Sequence, residues 1–242
     1  MEQNTELNRS LNVSEHDVSH FPAFEEMQRP ELEHVLSLAK LKRVTAGGHL
    51  FHSGEQAEAF FLLVEGYARL LRETEEGDQL VLHHVAPGCL FGITQVTASP
   101  RYSVSAKAVS DCLVLVWRAD LWETIVADSP SFARDARRTL GTRMRELADK
   151  VVELATRTVE QRVALALLQM TERAGRKTAA GTEIGFPVTR QDIADTTGAN
   201  MHSVSRIMSA WQRQQIVSGS RRKVVVLKPK VLSQLVQGTT GS

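Results

Sequence analysis

Cysteine is scarce in this chain: Cys89 and Cys112 are the two present among 242 residues. They could form one disulfide, but they make no disulfide framework. Long hydrophobic runs are missing too. No stretch of 18 apolar residues occurs, so no membrane span is expected. The first 20 residues are polar, lack the apolar centre of a signal peptide, and show no periodicity, so they read as a flexible tail. These absences predict a soluble, cytoplasmic protein. Net charge is also small, at +1. That figure hides an asymmetry: residues 156 to 242 hold 13 Lys and Arg against 5 Asp and Glu, a net of +8, which leaves −7 for residues 1 to 155. A basic domain is drawn to a phosphate backbone through counterion release. The acidic part should be repelled by nucleic acid and must do something else.

The basic part contains VTRQDIADTTGANMHSVSRIMSAWQRQ, residues 188 to 214. The pattern predicts two short helices joined by a tight turn. Ile193 and Ala194 face inward on the first, and Ala194 leaves room for the second to approach. Gly198 fills the turn position that needs positive φ, and Asn200 is a good N-cap. Val204, Ile207 and Met208 give the second helix a buried stripe. Its other face carries His202, Ser203, Ser205, Arg206 and Ser209, polar and short enough to reach base edges. Next come two β-branched runs around a polar turn, with Arg221, Arg222 and Lys223 at the tip, a hairpin signature. A helix-turn-helix followed by a basic hairpin is a winged helix, whose tip is placed to meet phosphate.

Upstream, residues 44 to 118 are short apolar runs broken by turn residues. Gly54, Gly66, Gly77 and Gly88 fall 12, 11 and 11 apart, a spacing that predicts a jelly roll or sandwich. Val64, Leu70, Val81, Leu82, Val104, Val114 and Val116 are expected in its core, with residues 21 to 40 a helix around it. After Pro130 the period becomes 3.5. Ala133, Leu140, Leu147 and Leu154 are seven apart, with Met144 and Val151 in the alternate seam. A helix packed along the barrel would also be amphipathic, but a narrow seam flanked by Arg137, Arg143, Arg145 and Lys150 fits a two-helix coiled coil better. Leu140, Met144, Leu147, Val151 and Leu154 are therefore the expected homodimer interface. A dimer would set two recognition helices about 34 Å apart, one turn of DNA. Residues 157 to 175 read as a further helix with Val163, Leu165, Ala166, Leu168 and Met170 apolar, and residues 175 to 186 as a loop or small hairpin.

A barrel, a long dimer helix and a winged helix, in that order, resemble the bacterial Crp/Fnr transcription regulators. The most specific matching segments are Gly54-Glu55, Gly66, Gly77, Pro87-Gly88 to Phe91-Gly92, Val188 to Ile193, and Ser205-Arg206. The resemblance implies an α+β fold: a flexible tail (1 to 20), a cyclic-nucleotide-binding-like β-barrel of jelly-roll type that senses an effector (21 to 128), a dimerisation helix (129 to 156) and a winged helix-turn-helix (157 to 242). It implies base reading by His202, Ser203, Ser205 and Arg206, with Arg206 at the guanine-reading position. It implies phosphate contacts from Thr189, Arg190 and Gln191 at a helix start, beside Arg221, Arg222 and Lys223. Where members of the family have Glu at the second position of the reading helix, this chain has His202, preceded by Met201.

The effector site departs from the family further. Ile93, in Gly92-Ile93-Thr94, stands for a ribose-binding Glu, and Tyr102, before Ser103, stands for a phosphate-binding Arg. Arg101, one residue away in a strand, points to the opposite face. Leu147-Ala148 replaces an adenine-contacting Thr-Ser. Loss of the Arg removes a bidentate, charge-assisted contact, so cyclic AMP is not the expected ligand. An iron–sulfur cluster needs four cysteines and is not expected either. A small molecule in an apolar pocket of Leu82, Gly92, Ile93, Tyr102, Ser103 and Leu147 leads. Haem on His83 or His84, a thiol response through Cys89 or Cys112, and no effector at all stay open. The function expected is a homodimeric, sequence-specific regulator of the Crp/Fnr type. It would bind palindromic double-stranded DNA, act as an activator and contact RNA polymerase. An architectural DNA binder with a vestigial barrel is the alternative. A jelly-roll metal enzyme would need several His and a carboxylate converging in the barrel, and the strands offer His83 and His84 alone, so no enzyme is expected.

Overall fold

A computed structural model describes residues 18–74, 77–93 and 99–238. The expected tail lies almost wholly outside these residues, and so does Thr94. In chain order the elements are α1 (Arg29–Ser37), β1 (Lys40–Val44), β2 (His49–Phe51), β3 (Ala59–Glu65), β4 (Ala68–Glu73), β5 (Gln79–Val85), β6 (Leu90–Phe91), β7 (Ser105–Ala108), β8 (Cys112–Arg118), α2 (Trp122–Asp128), α3 (Pro130–Thr156), α4 (Val159–Ala174), β9 (Gly175–Lys177), β10 (Thr182–Ile184), α5 (Arg190–Thr197), α6 (Met201–Arg213), β11 (Val217–Ser220), β12 (Lys223–Val226) and α7 (Pro229–Gln237). The sheet orders are β1-β8-β3-β6, β2-β7-β4-β5 and β11-β12-β10-β9. Among the described residues no helix is long and apolar enough to cross a membrane.

The chain divides into two compact units. The first takes residues up to Ala68 together with Val85–Arg143; the second takes Arg69–His84 and everything from Met144. Residues 69 to 84 lie within the stretch expected as one sensing domain, and they group with the C-terminal unit.

The first unit is built on β8, which pairs antiparallel with both β1 and β3, with Leu62 opposite Leu115. Strand β3 reads AFFLLVE and buries five consecutive residues, Phe60 to Val64. A strand covered on both faces shows a continuous apolar run in place of alternation. Around it Phe60 stacks on Trp117 with ring centroids 5.4 Å apart and meets Trp122 edge-on at 5.2 Å. Trp117 is fully buried, and its Nε1 donates to the Val35 carbonyl at 2.8 Å, so the ring buries its area without stranding its polar atom. The helix expected over residues 21 to 40 is shorter: Pro30 sits in its first turn, where a missing N–H does no harm. In α3, Phe132, Ala133 and Ala136 are buried in this unit. Ala133, expected at the head of the coiled-coil seam, is therefore a core residue.

In the second unit α4 begins at a capping box in which Thr158 and Gln161 satisfy each other's backbone N–H. Its buried residues are Val163, Ala164, Ala166, Leu167, Met170 and Ala174. Leu167 is thus fully buried, while Leu165 and Leu168, expected inside, are half-buried. Residues 175 to 186 form a hairpin, β9–β10, and β10 pairs with β12, so the wing is half of a four-stranded sheet.

Two substitutions test this packing. Trp117→Ala removes a fully buried ring and should lower unfolding stability in denaturant by about 3–5 kcal/mol. Gly198→Ala places a side chain at φ +60°, with its Cβ 3.3 Å from Leu154 Cδ2. The same titration should show a loss of about 1–2 kcal/mol.

Candidate nucleic-acid interface

Helices α5 and α6 form the expected helix-turn-helix. Thr189 and Asp192 make a capping box on α5: the Thr189 hydroxyl accepts from the Asp192 N–H at 3.1 Å and donates to Asp192 Oδ2 at 2.7 Å, while that oxygen accepts the Thr189 N–H at 2.8 Å. Gly198 ends α5 at φ +60°. Asn200 caps α6, its Oδ1 accepting the Ser203 N–H at 2.8 Å. Ile193, Ala194, Val204 and Met208 are buried between the helices, joined by Trp211. The Trp211 indole donates to Glu160 Oε1 at 3.3 Å. Helix geometry here follows from local residue chemistry: a cap, a small residue at the crossing, and a glycine in the left-handed turn.

The wing closes a cleft of about 630 Å³ against the helix pair, lined by Thr189, Arg190, Met201, Ser205, Gly219 and Arg221 among others. Strands β11 and β12 pair from Val217 with Val226 to Ser220 with Lys223, which puts Arg221 and Arg222 at the tip. Gly219 is required: a Cβ there would lie 1.9 Å from the Lys223 carbonyl oxygen. The expected trio of tip cations divides. Arg221 and Arg222 are exposed in the turn, while Lys223 opens β12 and pairs with Glu183 at 2.8 Å. The wing is tethered at its tip by the Val188 N–H, which donates to the Arg222 carbonyl at 3.1 Å.

The expected base-reading residues also divide. His202 and Arg206 are exposed, one turn apart on α6. Ser203 and Ser205 are half-buried, and the Ser205 carbonyl accepts from Arg190 at 2.6 Å. Of the three residues expected on phosphate at the start of α5, Thr189 is engaged in the capping box. Gln191 donates to Asp195 Oδ1 at 2.6 Å, and Arg190 is held by α6. Burial pushes the Asp195 carboxyl above its ordinary range, against the Gln191 hydrogen bond and the nearby Arg69 charge. One contact at this site carries no sequence signal: Arg69 of β4 pairs with Asp192 Oδ1 at 2.6 Å across 123 positions, mostly shielded from solvent. The capping carboxylate of α5 is thus held on both oxygens.

The expected effector residues fall in both units: Gly92, Ile93, Tyr102 and Ser103 in the first, Leu82 and Leu147 in the second. Ile93 is a buried member of the first unit's core. Tyr102 stacks on Phe51 at 3.8 Å, and Phe51, Phe61 and Phe91 continue the stack. Its hydroxyl donates to the Ala59 carbonyl at 2.6 Å, and burial raises its pKa. Arg101 instead is exposed and donates to the Gly54 carbonyl at 2.8 Å. The aromatic cluster was missed in the sequence because its members are brought together by cross-strand packing.

The geometry around His83 and His84 does not fit haem. His83 Nδ1 faces Glu146 Oε2 at 2.8 Å and Arg173 at 3.2 Å. His84 stacks on Phe186 at 5.6 Å. Burial, with the neighbouring His83, Arg173 and Arg69, holds its pKa down to about 3, so it is neutral. The cavity beside them measures about 90 Å³, well short of the roughly 300–1,000 Å³ of small-molecule pockets. Both cysteines are free; burial pushes the Cys112 thiol up to about 11 and keeps it protonated, the unreactive form.

Comparison with known proteins agrees with this geometry. Residues 41–129 match the cyclic nucleotide-binding domain and residues 161–235 the Crp-like helix-turn-helix domain. The cAMP-activated global transcriptional regulator CRP of Pasteurella multocida is 26% identical over 199 residues, 81% of this chain and 94% of that protein. The transcriptional activatory protein AadR of Rhodopseudomonas palustris is 28% identical over 182 residues, 75% of this chain and 74% of that one. Among solved structures, FixK2 from Bradyrhizobium japonicum superposes with a TM-score of 0.71 at 25% identity, covering 81% of this chain and 96% of that chain. With a cyclic nucleotide-binding domain followed by a Crp-like helix-turn-helix, the chain belongs to the Crp/Fnr family of DNA-binding transcription regulators.

Proposed function

We propose that this regulator works as a homodimer, reads a palindromic DNA site, and activates transcription by contacting RNA polymerase beside that site. The observation that supports it best is the exposed pair His202 and Arg206 on α6, in the same unit as the exposed wing cations Arg221, which lines the cleft, and Arg222. An arginine there can take both guanine acceptors, O6 and N7, while the wing meets phosphate without sequence preference. The net charge of +8 over residues 156 to 242 supplies the nonspecific attraction. The activator role is supported by what the AadR relative is named for, an activatory protein.

The dimer rests on α3. Met144, Leu147 and Val151 are 71%, 44% and 67% exposed, and they recur at i, i+3 and i+7 on one stripe. Large apolar side chains left in water on a helix stripe gain by burial against a second copy. The other two expected seam residues have partners in their own unit: Leu140 packs on the first unit's core, and Leu154 lies against the turn at Gly198. The proposed seam is therefore Met144, Leu147 and Val151. The signal is proposed to be other than cyclic AMP, because Tyr102 is a buried aromatic where the family's ligand phosphate takes an Arg, and its ring is stacked on Phe51.

On the duplex that the protein selects from a random pool, Arg206→Ala should lose about 1–3 kcal/mol and accept other bases at one position. Arg222→Ala should weaken every duplex alike and reduce the slope of log K against log salt by about 0.9. Fluorescence-anisotropy titrations over a salt series check both, and identical behaviour of the two variants would remove the assigned roles. Met144→Asp with Val151→Asp should give a monomer in sedimentation, with affinity for the palindrome reduced about a hundredfold, the avidity of paired sites. A double variant that stays dimeric would rule out this seam.

A further inference from the structure

The first position of α5 is a poor place for a cation, because the unpaired N–H groups of a helix start carry partial positive charge. Arg190 stands there, and its side chain reaches across to α6. Nη1 donates to the Ser205 carbonyl at 2.6 Å and to Ser209 Oγ at 2.9 Å, and Nη2 donates to Gln212 Oε1 at 3.3 Å. The acceptors are spaced i, i+4 and i+7, so the planar fork lies along one stripe of the reading helix. A helix carbonyl has a second lone pair beyond its ladder bond, and that of Ser205 can take the guanidinium. The group is half-buried, where charge-assisted hydrogen bonds outweigh neutral ones. Arg206 follows Ser205 directly, about 100° further round the helix, and shares its stripe with His202.

We propose that Arg190 is a positioning residue for base reading and not a phosphate contact. By gripping Ser205, Ser209 and Gln212 it fixes the roll of α6 about its own axis, and so the direction in which Arg206 and His202 project into the groove. The inference rests on the sequence-specific reading above. Lysine would not replace it, since a compact ammonium on a flexible stem lacks the planar fork that meets three acceptors strung along two turns. Arg69 on Asp192 steadies α5 from its other side, so the strut works against a fixed base.

The test measures dissociation constants for the selected duplex and for a scrambled duplex of equal length, over a salt series, with circular dichroism to confirm folding. Arg190→Gln is expected to cut the ratio of selected to scrambled affinity roughly tenfold, the scale of a charge-assisted hydrogen bond, while leaving the salt slope on the scrambled duplex unchanged. Arg190→Lys should lose the same discrimination although its charge is kept. Ser209→Ala with Gln212→Ala removes two acceptors and no charge; it should reproduce the loss and add little when combined with Arg190→Gln. The proposal is overturned if Arg190→Gln weakens both duplexes equally and lowers the slope by about 0.9, with Arg190→Lys restoring it. It is also overturned if the acceptor variant keeps full discrimination, or if its loss adds to that of Arg190→Gln. Wild-type protein that did not distinguish the two duplexes would overturn the sequence-specific reading, and the strut with it.

Discussion

The left-handed turn at Gly198 is the constraint on which DNA reading depends. It sets where α6 begins relative to α5, and a side chain there would meet Leu154 and Leu80 within 3.7 Å. Everything next to it preserves that angle. Ala194 is small enough for the helices to close, Asn200 starts α6 at a defined residue, and Arg190 binds the two helices along their length. Asp192 caps α5 with one carboxylate oxygen and takes Arg69 with the other. The base reading proposed for α6 needs hydrogen-bond precision, so rigidity here would serve function as well as stability.

The first unit follows a different logic. Its strands bury aromatic rings on both sides of β3: Trp117, Trp122 and Phe132 around Phe60, and Phe51, Phe91 and Tyr102 around Phe61. In the second group Tyr102 stands at the position where the family resemblance placed a phosphate-binding Arg. A phosphate would need a cation there, and the chain supplies a neutral, hydrogen-bonded phenol. Charge is apportioned in the same sense, with −7 over residues 1 to 155 and +8 beyond. Net positive charge therefore falls on the part that carries the helix-turn-helix.

Much of the reading unit was legible in the sequence because its signals are local. Gly198, Asn200 and the Val204, Met208 stripe each declare a conformation within a turn or two of chain. The glycine spacing marked the strands for the same reason. What escaped was set by distant partners. The hold of Arg190 on α6 was not legible because nothing in its neighbours announces acceptors 15 to 22 positions away. Arg69 and Asp192 are 123 positions apart. In α4 the run Val163 to Met170 offers apolar residues at adjacent positions, so its period was ambiguous, and the structure chose Leu167 over Leu165. Lys223 read as a third tip cation because composition does not show that it opens β12, two residues before the Val225 that pairs with Glu183, and reaches that carboxylate.

The central claim is that two copies of one rigid reader address one DNA site. Sequencing the duplexes that the full-length protein retains from a random pool tests it most directly. The account predicts an inverted repeat whose half-sites are centred about 10 base pairs apart, or a multiple of that. A pool that stayed random, or that converged on a site without two-fold symmetry, would contradict it.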